Sequence, residues 1–323
     1  MTQDLTPGRT PLVVVVILNW NGWADSIPCV RSLLDSSYEN IRIVVVDNGS
    51  TDGSVERIRG AFPDLTILET GTNLGFAAGN NRGIHYAMDN GAEYVLVLNN
   101  DTTVPQHAVR ELIDFAERNP GAALIGPEIS DAATGEFLDL PMLRPINVWS
   151  ILFTKSPIQR VIRRTALYKR FFYRGRTPSE VYAIHGSAML FRASTIREIG
   201  TFDEETFIYW EEFILAEKLR KAGLRTYVLP STRIIHKGSS SIAKIGASRF
   251  LENMKSERYF FDNYLDLSIA SRFAIDTVRF VGYIGRAVVQ DDYRRRLPEF
   301  LRLLFEGRHP KGGRDDESAI STK

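Results

Sequence analysis

The sequence predicts an α/β fold, a mostly parallel sheet with helices on both faces, followed by a helical extension at the C-terminal end. Runs of β-branched residues recur through the first 126 residues without alternating polar residues, as expected of strands that are buried on both faces. Segments of helical length separate these runs, which favours parallel strands joined by crossover helices. From residue 247 almost to residue 305 apolar residues recur at helical spacing, which predicts the extension.

The sheet is predicted from strands and helices that alternate along the chain. The strands are predicted at residues 12–18, 41–46, 65–68, 94–98 and 122–125, and the helices at residues 23–36, 76–90 and 105–119. Gly91 follows the second helix and Pro105 lies in the first turn of the third, which are positions that these residues favour. Residues 47–54 form a run of turn formers and are predicted to be a loop.

A second group of elements is predicted beyond residue 180. These are a strand within residues 181–191, helices from residue 193 and at 211–222, and short strands at 225–229 and 233–235. We expect a first domain at residues 1–246, with one half at 12–126 and the other at 181–246. C-terminal helices follow at 247–306, and the charged, glycine-containing tail at 307–323 is predicted to be disordered.

The C-terminal helices carry an amphipathic stripe. It either packs on the first domain, which is our expectation, or lies at a bilayer surface. The stripe consists of Ile269, Phe273, Phe280, Val281, Ile284 and Val288.

The composition is typical of a soluble globular protein. Hydrophobic residues make up 44% of the 323 residues and charged residues 24%, and the net charge of +1 gives no reason to expect a nucleic-acid partner. The single cysteine excludes an internal disulfide and a site with several cysteine ligands. No segment has the roughly 18 to 20 apolar residues of a membrane span, and no signal-peptide pattern is present, so we expect a cytoplasmic protein.

Residues 136–180 interrupt the α/β pattern with basic and aromatic residues. Between Arg144 and Arg176 there is no acidic residue, while Trp149, Phe153 and Tyr168 lie among the arginines and lysines. Two interpretations remain open. The segment contacts an anionic membrane surface or a phosphorylated lipid, or it is a solvated helical insert whose aromatic side chains complete the core.

An acidic residue follows the fourth predicted strand. Residues 94–98 end in Asn99, Asn100 and Asp101, at the end of a strand where open α/β sheets bind their ligands. Asp101 is suited to hold a divalent cation, Mg²⁺ or Mn²⁺, and through it a diphosphate. His236, at the end of a later strand, is a candidate nitrogen ligand; the alternative for Asp101 is a helix cap.

Other polar residues follow neighbouring strands. Asp47, after the second strand, is suited to accept hydrogen bonds from a ribose or a base, although it equally fits a simple turn. The loop at residues 19–23 lacks the three-glycine fingerprint of dinucleotide-binding proteins, which argues against a nicotinamide cofactor. The loop at residues 73–83 contains glycines that permit close backbone approach and amides that bind hydroxyls or phosphate oxygens.

Two adjacent acids, Glu211 and Glu212, begin a predicted helix. Acids at this position favourably complement the helix dipole. The preceding residues 207–210 are mostly aromatic, however, and such surroundings raise the pKa of a carboxyl group towards that of a useful general base.

Seven segments, in order along residues 12–241, carry a resemblance to a known family: VVVVILNWNG, VVVDNGSTDGS, NLGFAAGNNRGI, YVLVLNNDTTV, HGSAMLFR, FDEETFIYWEE and RIIHKGSS. The chain resembles glycosyltransferase family 2, the inverting enzymes with the GT-A fold, and within it the rhamnosyltransferase-like branch that builds bacterial surface polysaccharides. The resemblance implies a nucleotide-diphosphate sugar as donor, with dTDP-rhamnose favoured over a UDP-sugar. It also implies an acceptor hydroxyl on a glycan or a polyprenyl-diphosphate-linked glycan, with peripheral contact at the cytoplasmic face of the membrane.

The resemblance also implies roles for residues. Asp47 holds the nucleoside, Asp101 and His236 hold the cation, and Glu212, paired with Glu211, is the catalytic base. His185, Gly186, Ser187 and Trp210 line the sugar and acceptor side. The remaining donor-binding candidates are Asn19, Asn73, Gly75, Gly79, Asn80 and Asn100.

The chain departs from the family pattern at several positions. Asn99 and Asn100 replace acids found in many members, Glu212 stands where aspartate is usual, and Ile214 stands where aspartate is frequent. Two other functions therefore stay open: a nucleotidyltransferase, which would share the nucleotide domain and the metal, and a sugar-nucleotide binder that has lost activity. A nucleic-acid binder is disfavoured, because the basic stretch is local and no recognition module is present.

Overall fold

The computed structural model describes residues 10–137, 141–155, 175–238 and 246–305. Its strands, numbered in chain order, are β1 (Val13–Asn19), β2 (Ile41–Asp47), β3 (Thr66–Glu69), β4 (Tyr94–Asn99), β5 (Thr102–Thr103), β6 (Ala122–Asp131), β7 (Ser179–Val181), β8 (Ala188–Arg192) and β9 (Arg225–His236). Its helices are α1 (Trp23–Leu34), α2 (Ser54–Ala61), α3 (Gly75–Asp89), α4 (Ala108–Arg118), α5 (Val148–Lys155), α6 (Ala193–Ile199), α7 (Glu211–Lys221), α8 (Gly246–Asn263), α9 (Ile269–Val289), α10 (Asp291–Arg295) and α11 (Leu297–Phe305).

The strands of the described ranges form one sheet in the order β3-β2-β1-β4-β8-β6-β9-β5, with β7 also paired to β9. β3, β2, β1 and β4 are parallel, as predicted from their connecting helices. β8 runs antiparallel to both of its neighbours, β4 and β6. β6 and β9 are parallel, whereas β5 and β7 are antiparallel to β9. The predicted α/β class is confirmed, and the antiparallel pairs lie in the half of the sheet formed by the later strands.

Apolar side chains of each central strand fill two separate cores. In β1, Val13, Val15 and Ile17 face one core, and Val14 and Val16 face the other. Both cores are covered by helices, so neither face of the strand meets water. This burial explains why the strand sequences lack alternating polar residues.

Helix α3 approaches β1 closely because it carries glycines. A Cβ atom at Gly83 would lie 2.2 Å from a methyl carbon of Val16, and one at Gly79 would lie 2.6 Å from a methyl carbon of Leu18. Distances this short are far below van der Waals contact, so larger residues would push the helix away from the sheet. The glycine-rich sequence therefore determines the spacing of α3 from the carboxyl ends of β1 and β2.

Several element boundaries differ from the predictions. The strand predicted within residues 181–191 is two strands, β7 and β8, and β6 continues beyond residue 125 to Asp131. The two short strands predicted after residue 225 are one strand, β9, which passes through Pro230. Its pairing with β6 shifts register next to that proline, between Pro127 and Glu128, so the proline lies in an irregular part of the ladder. Helix α2 lies partly within the predicted loop and was not predicted.

Helices α8 and α9 both pack on earlier parts of the chain. The hydroxyls of Tyr259 and Tyr264 donate to Asp203, and Phe260 belongs to the same apolar cluster as Trp210. Helix α9 buries a different face from the predicted stripe, because Ile269 and Phe273 are 83% and 75% exposed. The buried residues of α9 are Ile275, Arg279, Tyr283 and Ala287. In the described part of the chain, no helix is both long and apolar enough to cross a membrane.

Part of the basic and aromatic segment is α5, which packs against α9. Residues 156–174, which include most of its arginines, lie outside the described residues, as does the tail at 306–323. The membrane-contact and disorder predictions for those residues stay predictions.

Candidate active site

The predicted polar residues lie side by side at the carboxyl ends of the parallel strands. In the strand register, Asn19 at the end of β1 is opposite Asp47 at the end of β2, and Leu18 is opposite Asn99 in β4. Parallel strands end at the same edge of a sheet, and that edge is where α/β proteins bind nucleotides.

Asp47 is buried at this edge and both of its oxygens accept hydrogen bonds. Oδ1 accepts from Asn19 Nδ2 at 2.8 Å, and Oδ2 accepts from the backbone N–H of Ser50 at 2.9 Å. The second bond shapes the turn that follows β2, so the turn interpretation of Asp47 holds. Each oxygen retains a second lone pair, which leaves Asp47 able to accept a further hydrogen bond from a ligand.

Asp101 and His236 are brought together by the pairing of β5 with β9. Thr102 is opposite His236 in that ladder, and Asp101 Oδ1 lies 3.2 Å from His236 Nε2. Asp101 Oδ2 is buried and has no hydrogen-bond partner. The residue that caps α4 is His107, so Asp101 is not a helix cap. A buried carboxylate oxygen without a partner, beside an imidazole nitrogen, fits a divalent cation in its donor chemistry.

His185 lies next to this pair. The backbone N–H of Ser187 donates to His185 Nδ1 at 3.1 Å, and Ser187 Oγ lies 2.6 Å from the same atom. Burial lowers the pKa of His185 to about 4, and His236, whose ring centre is 5.7 Å away, acts in the same direction. His185 is therefore neutral and carries its proton on Nε2. A Cβ atom at Gly186 would meet open space.

In the described ranges, no group of three or more histidine, cysteine or acidic residues could hold a metal ion. Asp101 and His236 are the two protein donors that the structure brings together at the predicted metal position.

Glu211 and Glu212 begin α7 directly after a strained turn. Tyr209 and Trp210 have φ angles of 72° and 73°, in the left-handed region that non-glycine residues rarely adopt. Glu211 is buried and its Oε1 has no hydrogen-bond partner, whereas Glu212 is partly exposed. Burial raises the pKa of Glu211, and the neighbouring Glu212 raises it further; burial also raises the pKa of Glu212.

Trp210 faces the interior instead of the cleft. Its ring packs against Phe213, Phe260 and Phe261 at centroid distances of 5.0, 5.2 and 5.6 Å, and it is 6% exposed. The side chain anchors the strained turn on α8. Phe207, three residues earlier, is 45% exposed and was not among the predicted site residues.

The glycine-rich loop before α3 links the strand ends to this turn. Asn73 Oδ1 accepts from the backbone N–H of Gly75 and from Asn48 Nδ2, and Phe76 N–H donates to the carbonyl of Phe207 at 2.7 Å. Gly75 has φ 85°, and a Cβ atom there would lie 2.4 Å from that carbonyl oxygen. In the helix, Asn80 Nδ2 donates to the Phe76 carbonyl, while its Oδ1 is buried without a partner.

Sequence reasoning missed two polar residues of the site. Asn48 Oδ1 accepts from the backbone N–H of Leu74, which ties the end of β2 to the glycine-rich loop. Its position next to Asp47 in the turn was the available signal. Ser26 lies inside α1 and donates to Asn19 Oδ1 at 2.7 Å, and nothing in the sequence pattern distinguishes it from any other helical serine.

The chain is similar to proteins of a known family. A model of the family described as glycosyl transferase family 2 matches residues 14–200. The chain is 30% identical over 247 residues to the N-acetylglucosaminyl-diphospho-decaprenol L-rhamnosyltransferase of Mycobacterium tuberculosis, a match that covers 72% of this chain and 78% of that protein. It is 20% identical over 233 residues to the dTDP-rhamnosyl transferase RfbF of Shigella flexneri, covering 72% of this chain and 71% of that one.

A solved structure shares the fold. The crystal structure of GalNAc-T7 with UDP, GalNAc and Mn²⁺ matches 78% of this chain with a TM-score of 0.55 at 15% identity, and the match spans 51% of that chain, about half. Family membership supports sugar transfer in glycan biosynthesis and argues against a nucleotidyltransferase. With its α/β fold of the GT-A type, the chain belongs to glycosyl transferase family 2, as a rhamnosyltransferase-like member.

Proposed function

We propose that this protein transfers a sugar, preferably rhamnose from dTDP-rhamnose, to a hydroxyl of a polyprenyl-diphosphate-linked glycan during the synthesis of cell-surface polysaccharide. A UDP-sugar is the alternative donor. The observation that carries the proposal is the pair formed by Asp101 and His236, which lies at the same sheet edge as Asp47. A nucleotide along that edge would have its nucleoside at Asp47 and its diphosphate at the pair.

Asp101 and His236 are proposed to hold Mg²⁺ or Mn²⁺. The unpartnered Oδ2 of Asp101 and the adjacent imidazole nitrogen supply oxygen and nitrogen donors that suit either ion. The GalNAc-T7 structure, which contains UDP and Mn²⁺, supports a divalent cation. When bound, the ion would neutralise the negative charge that grows on a departing nucleoside diphosphate.

Glu212 is proposed to be the catalytic base. It is the more exposed member of the acidic pair, so an acceptor hydroxyl can reach it, and its raised pKa makes its carboxylate a stronger base. As the hydroxyl oxygen attacks the anomeric carbon, its proton passes to Glu212 and the bond to the diphosphate breaks. A single displacement of this kind inverts the anomeric configuration.

The other candidate residues are proposed to shape the cleft around these groups. Neutral His185, with Ser187 and Gly186, lies beside the cation pair and would contact the sugar. Asn19 orients Asp47, and Trp210 acts indirectly by holding the turn that carries Glu212. The loop residues Asn73, Gly75, Gly79 and Asn80 are proposed to line the donor side.

A lipid-linked acceptor requires that the enzyme reach a membrane. The Mycobacterium tuberculosis relative is named for an acceptor on decaprenol diphosphate. In this chain α9 exposes Ile269, Phe273 and Val288, which are 83%, 75% and 74% exposed, and α10 follows with exposed Arg295, while its exposed Arg294 is paired with Asp291. We propose peripheral contact of this surface with the cytoplasmic face of an anionic membrane.

The test is nucleoside diphosphate release from a panel of nucleotide sugars, with and without a polyprenyl-diphosphate-linked N-acetylglucosamine in vesicles. Acceptor-dependent release from dTDP-rhamnose, which EDTA abolishes and Mn²⁺ restores, is the expected result. Release that EDTA does not affect would remove the metal roles of Asp101 and His236. Pyrophosphate as the product would indicate a nucleotidyltransferase. Donor binding without turnover across all acceptors would indicate the inactive binder.

A further inference from the structure

Asn100 directly precedes Asp101 in the chain, and its side-chain nitrogen contacts the β1–α1 loop and the start of α1. Its Nδ2 lies 2.9 Å from Ser26 Oγ, 3.3 Å from the Gly22 carbonyl oxygen and 3.5 Å from Asn19 Oδ1. A Cβ atom at Gly22 would lie 2.7 Å from Asn100 Nδ2, so only glycine at position 22 leaves room for the amide. The contacts of Asn100 are therefore with the β1–α1 loop and the start of α1.

The chemistry of these groups determines the direction of every hydrogen bond. An ionised carboxylate only accepts, so Asn19 must present its N–H₂ to Asp47 at 2.8 Å and its oxygen to Ser26. The Ser26 hydroxyl has two acceptors in reach, Asn19 Oδ1 at 2.7 Å and the Gly22 carbonyl oxygen at 3.1 Å, and we assign its one proton to the shorter contact. Ser26 Oγ is left as an acceptor, and the group opposite it must be a donor, which is the amide of Asn100.

We propose that Asn100 is a positioning residue that acts through Ser26 and Asn19 to hold Asp47 in its nucleoside-binding orientation. Asn19 and Ser26 are fully buried and Asp47 is 3% exposed, so water does not substitute for a lost donor in this chain of bonds. The inference rests on the proposed function only in taking Asp47 as the nucleoside ligand.

An acid at position 100 is expected to weaken donor binding instead of strengthening the metal site. Asn100→Asp would place a carboxylate against the Gly22 carbonyl and Asn19 Oδ1, which are both acceptors. The single proton of Ser26 could then satisfy either the new carboxylate or Asn19, but not both, and Asp47 would lose its fixed partner.

The experiment measures binding of dTDP, dTMP, UDP and UMP in EDTA by ligand-observed NMR, which also follows weak binding. Asn100→Ala and Ser26→Ala should each weaken the affinity about five- to tenfold, the effect of one buried hydrogen bond. The double variant should be no weaker than either single variant, because both break the same chain of bonds. Asn100→Asp should bind more weakly than Asn100→Ala, and the loss should be equal for the monophosphate and the diphosphate.

Asn99→Ala is the matched control. Asn99 Nδ2 lies 3.5 Å from His236 Nε2, and Asn99 is not part of the chain of bonds from Asn100 to Asp47. Its nucleotide affinity in EDTA should equal that of the wild type. Partial misfolding would lower the number of binding sites but not the affinity of each site. The titration therefore distinguishes partial misfolding from a true loss of affinity. Unchanged affinity of Asn100→Ala, additive losses in the double variant, or tighter nucleotide binding by Asn100→Asp would overturn the inference. If the wild type binds none of these nucleotides either in EDTA or with Mn²⁺, the proposed function fails instead.

Discussion

Replacing the two acids of α7 one at a time tests which of them removes the proton. Glu212→Gln and Glu211→Gln each replace a carboxyl group by an amide of nearly equal size. Burial raises the pKa of both groups, and the charge of the neighbouring Glu212 also raises the pKa of Glu211. The two carboxyl groups titrate as a pair, and Glu212 is assigned the proton-accepting role because it is partly exposed, whereas Glu211 is buried.

The expected sizes of the two effects follow from this difference in exposure. Glu212→Gln removes the base, which should lower kcat by about 10²- to 10⁴-fold, equivalent to about 3 to 5 kcal/mol of transition-state stabilisation. Glu211→Gln leaves the accessible carboxyl group of Glu212 in place, so its loss should be no more than about tenfold, the size of one altered hydrogen bond.

The assay is the initial rate of nucleoside diphosphate release, with acceptor present, as a function of pH. In the wild type the rate should fall as pH drops through the raised pKa of Glu212, because the protonated acid cannot accept the proton. Glu211→Gln should keep that acidic limb, and Glu212→Gln should lose it. The reasoning is refuted if folded Glu212→Gln turns over at a near wild-type rate, or if Glu211→Gln is as inactive as Glu212→Gln.

Three further predictions concern the metal pair, the packing of α3 and the exposed face of α9. Asp101→Asn should abolish stimulation by Mn²⁺ in a metal titration while nucleotide binding in EDTA persists. Gly83→Ala should lower the free energy of unfolding by about 1 to 3 kcal/mol in a denaturant titration, because its Cβ would overlap β1. Gly60→Ala, in α2 with open space at its Cβ, should instead be stabilising by about 0.5 to 1 kcal/mol. Phe273→Glu should reduce co-sedimentation with anionic vesicles, whereas Leu34→Glu, at an exposed position of α1, should not; equal binding of both variants would contradict membrane contact through α9.

The central sheet could be predicted because strands that are buried on both faces have apolar residues at nearly every position. A strand such as β1, whose alternate residues fill two cores, must be apolar throughout, and its polar end residue Asn19 marks the ligand edge. The sequence of helix α2 has no comparably clear pattern. It is short, follows Gly53 in the left-handed region, and buries only Ser54, Val55 and Ile58, so its amphipathic pattern is too brief to separate it from the preceding turn.

The site was predicted to the extent that its residues follow strands or begin helices. Asp47 and Asp101 are adjacent to strands, so their meeting at one edge follows from parallel pairing. Ser26 has a role only through tertiary contact. The prediction that Trp210 lines the cleft was wrong, because its burial depends on packing against α8, which is distant in sequence. Sequence patterns report the direction of a side chain within its own element and say little about what another element places beside it.

The loss of two acids around Asp101 does not by itself indicate an inactive protein. Residues 99, 100 and 101 follow one another, but their side chains have different surroundings. Asn99 approaches His236, Asn100 donates to Ser26, and Asp101 presents an unpartnered oxygen beside His236. A carboxylate at position 100 would place one oxygen against the β1–α1 loop, where the amide nitrogen of Asn100 lies. The number of acids in this segment is therefore a poor measure of its metal affinity, and the orientation of Asp101 is the relevant quantity.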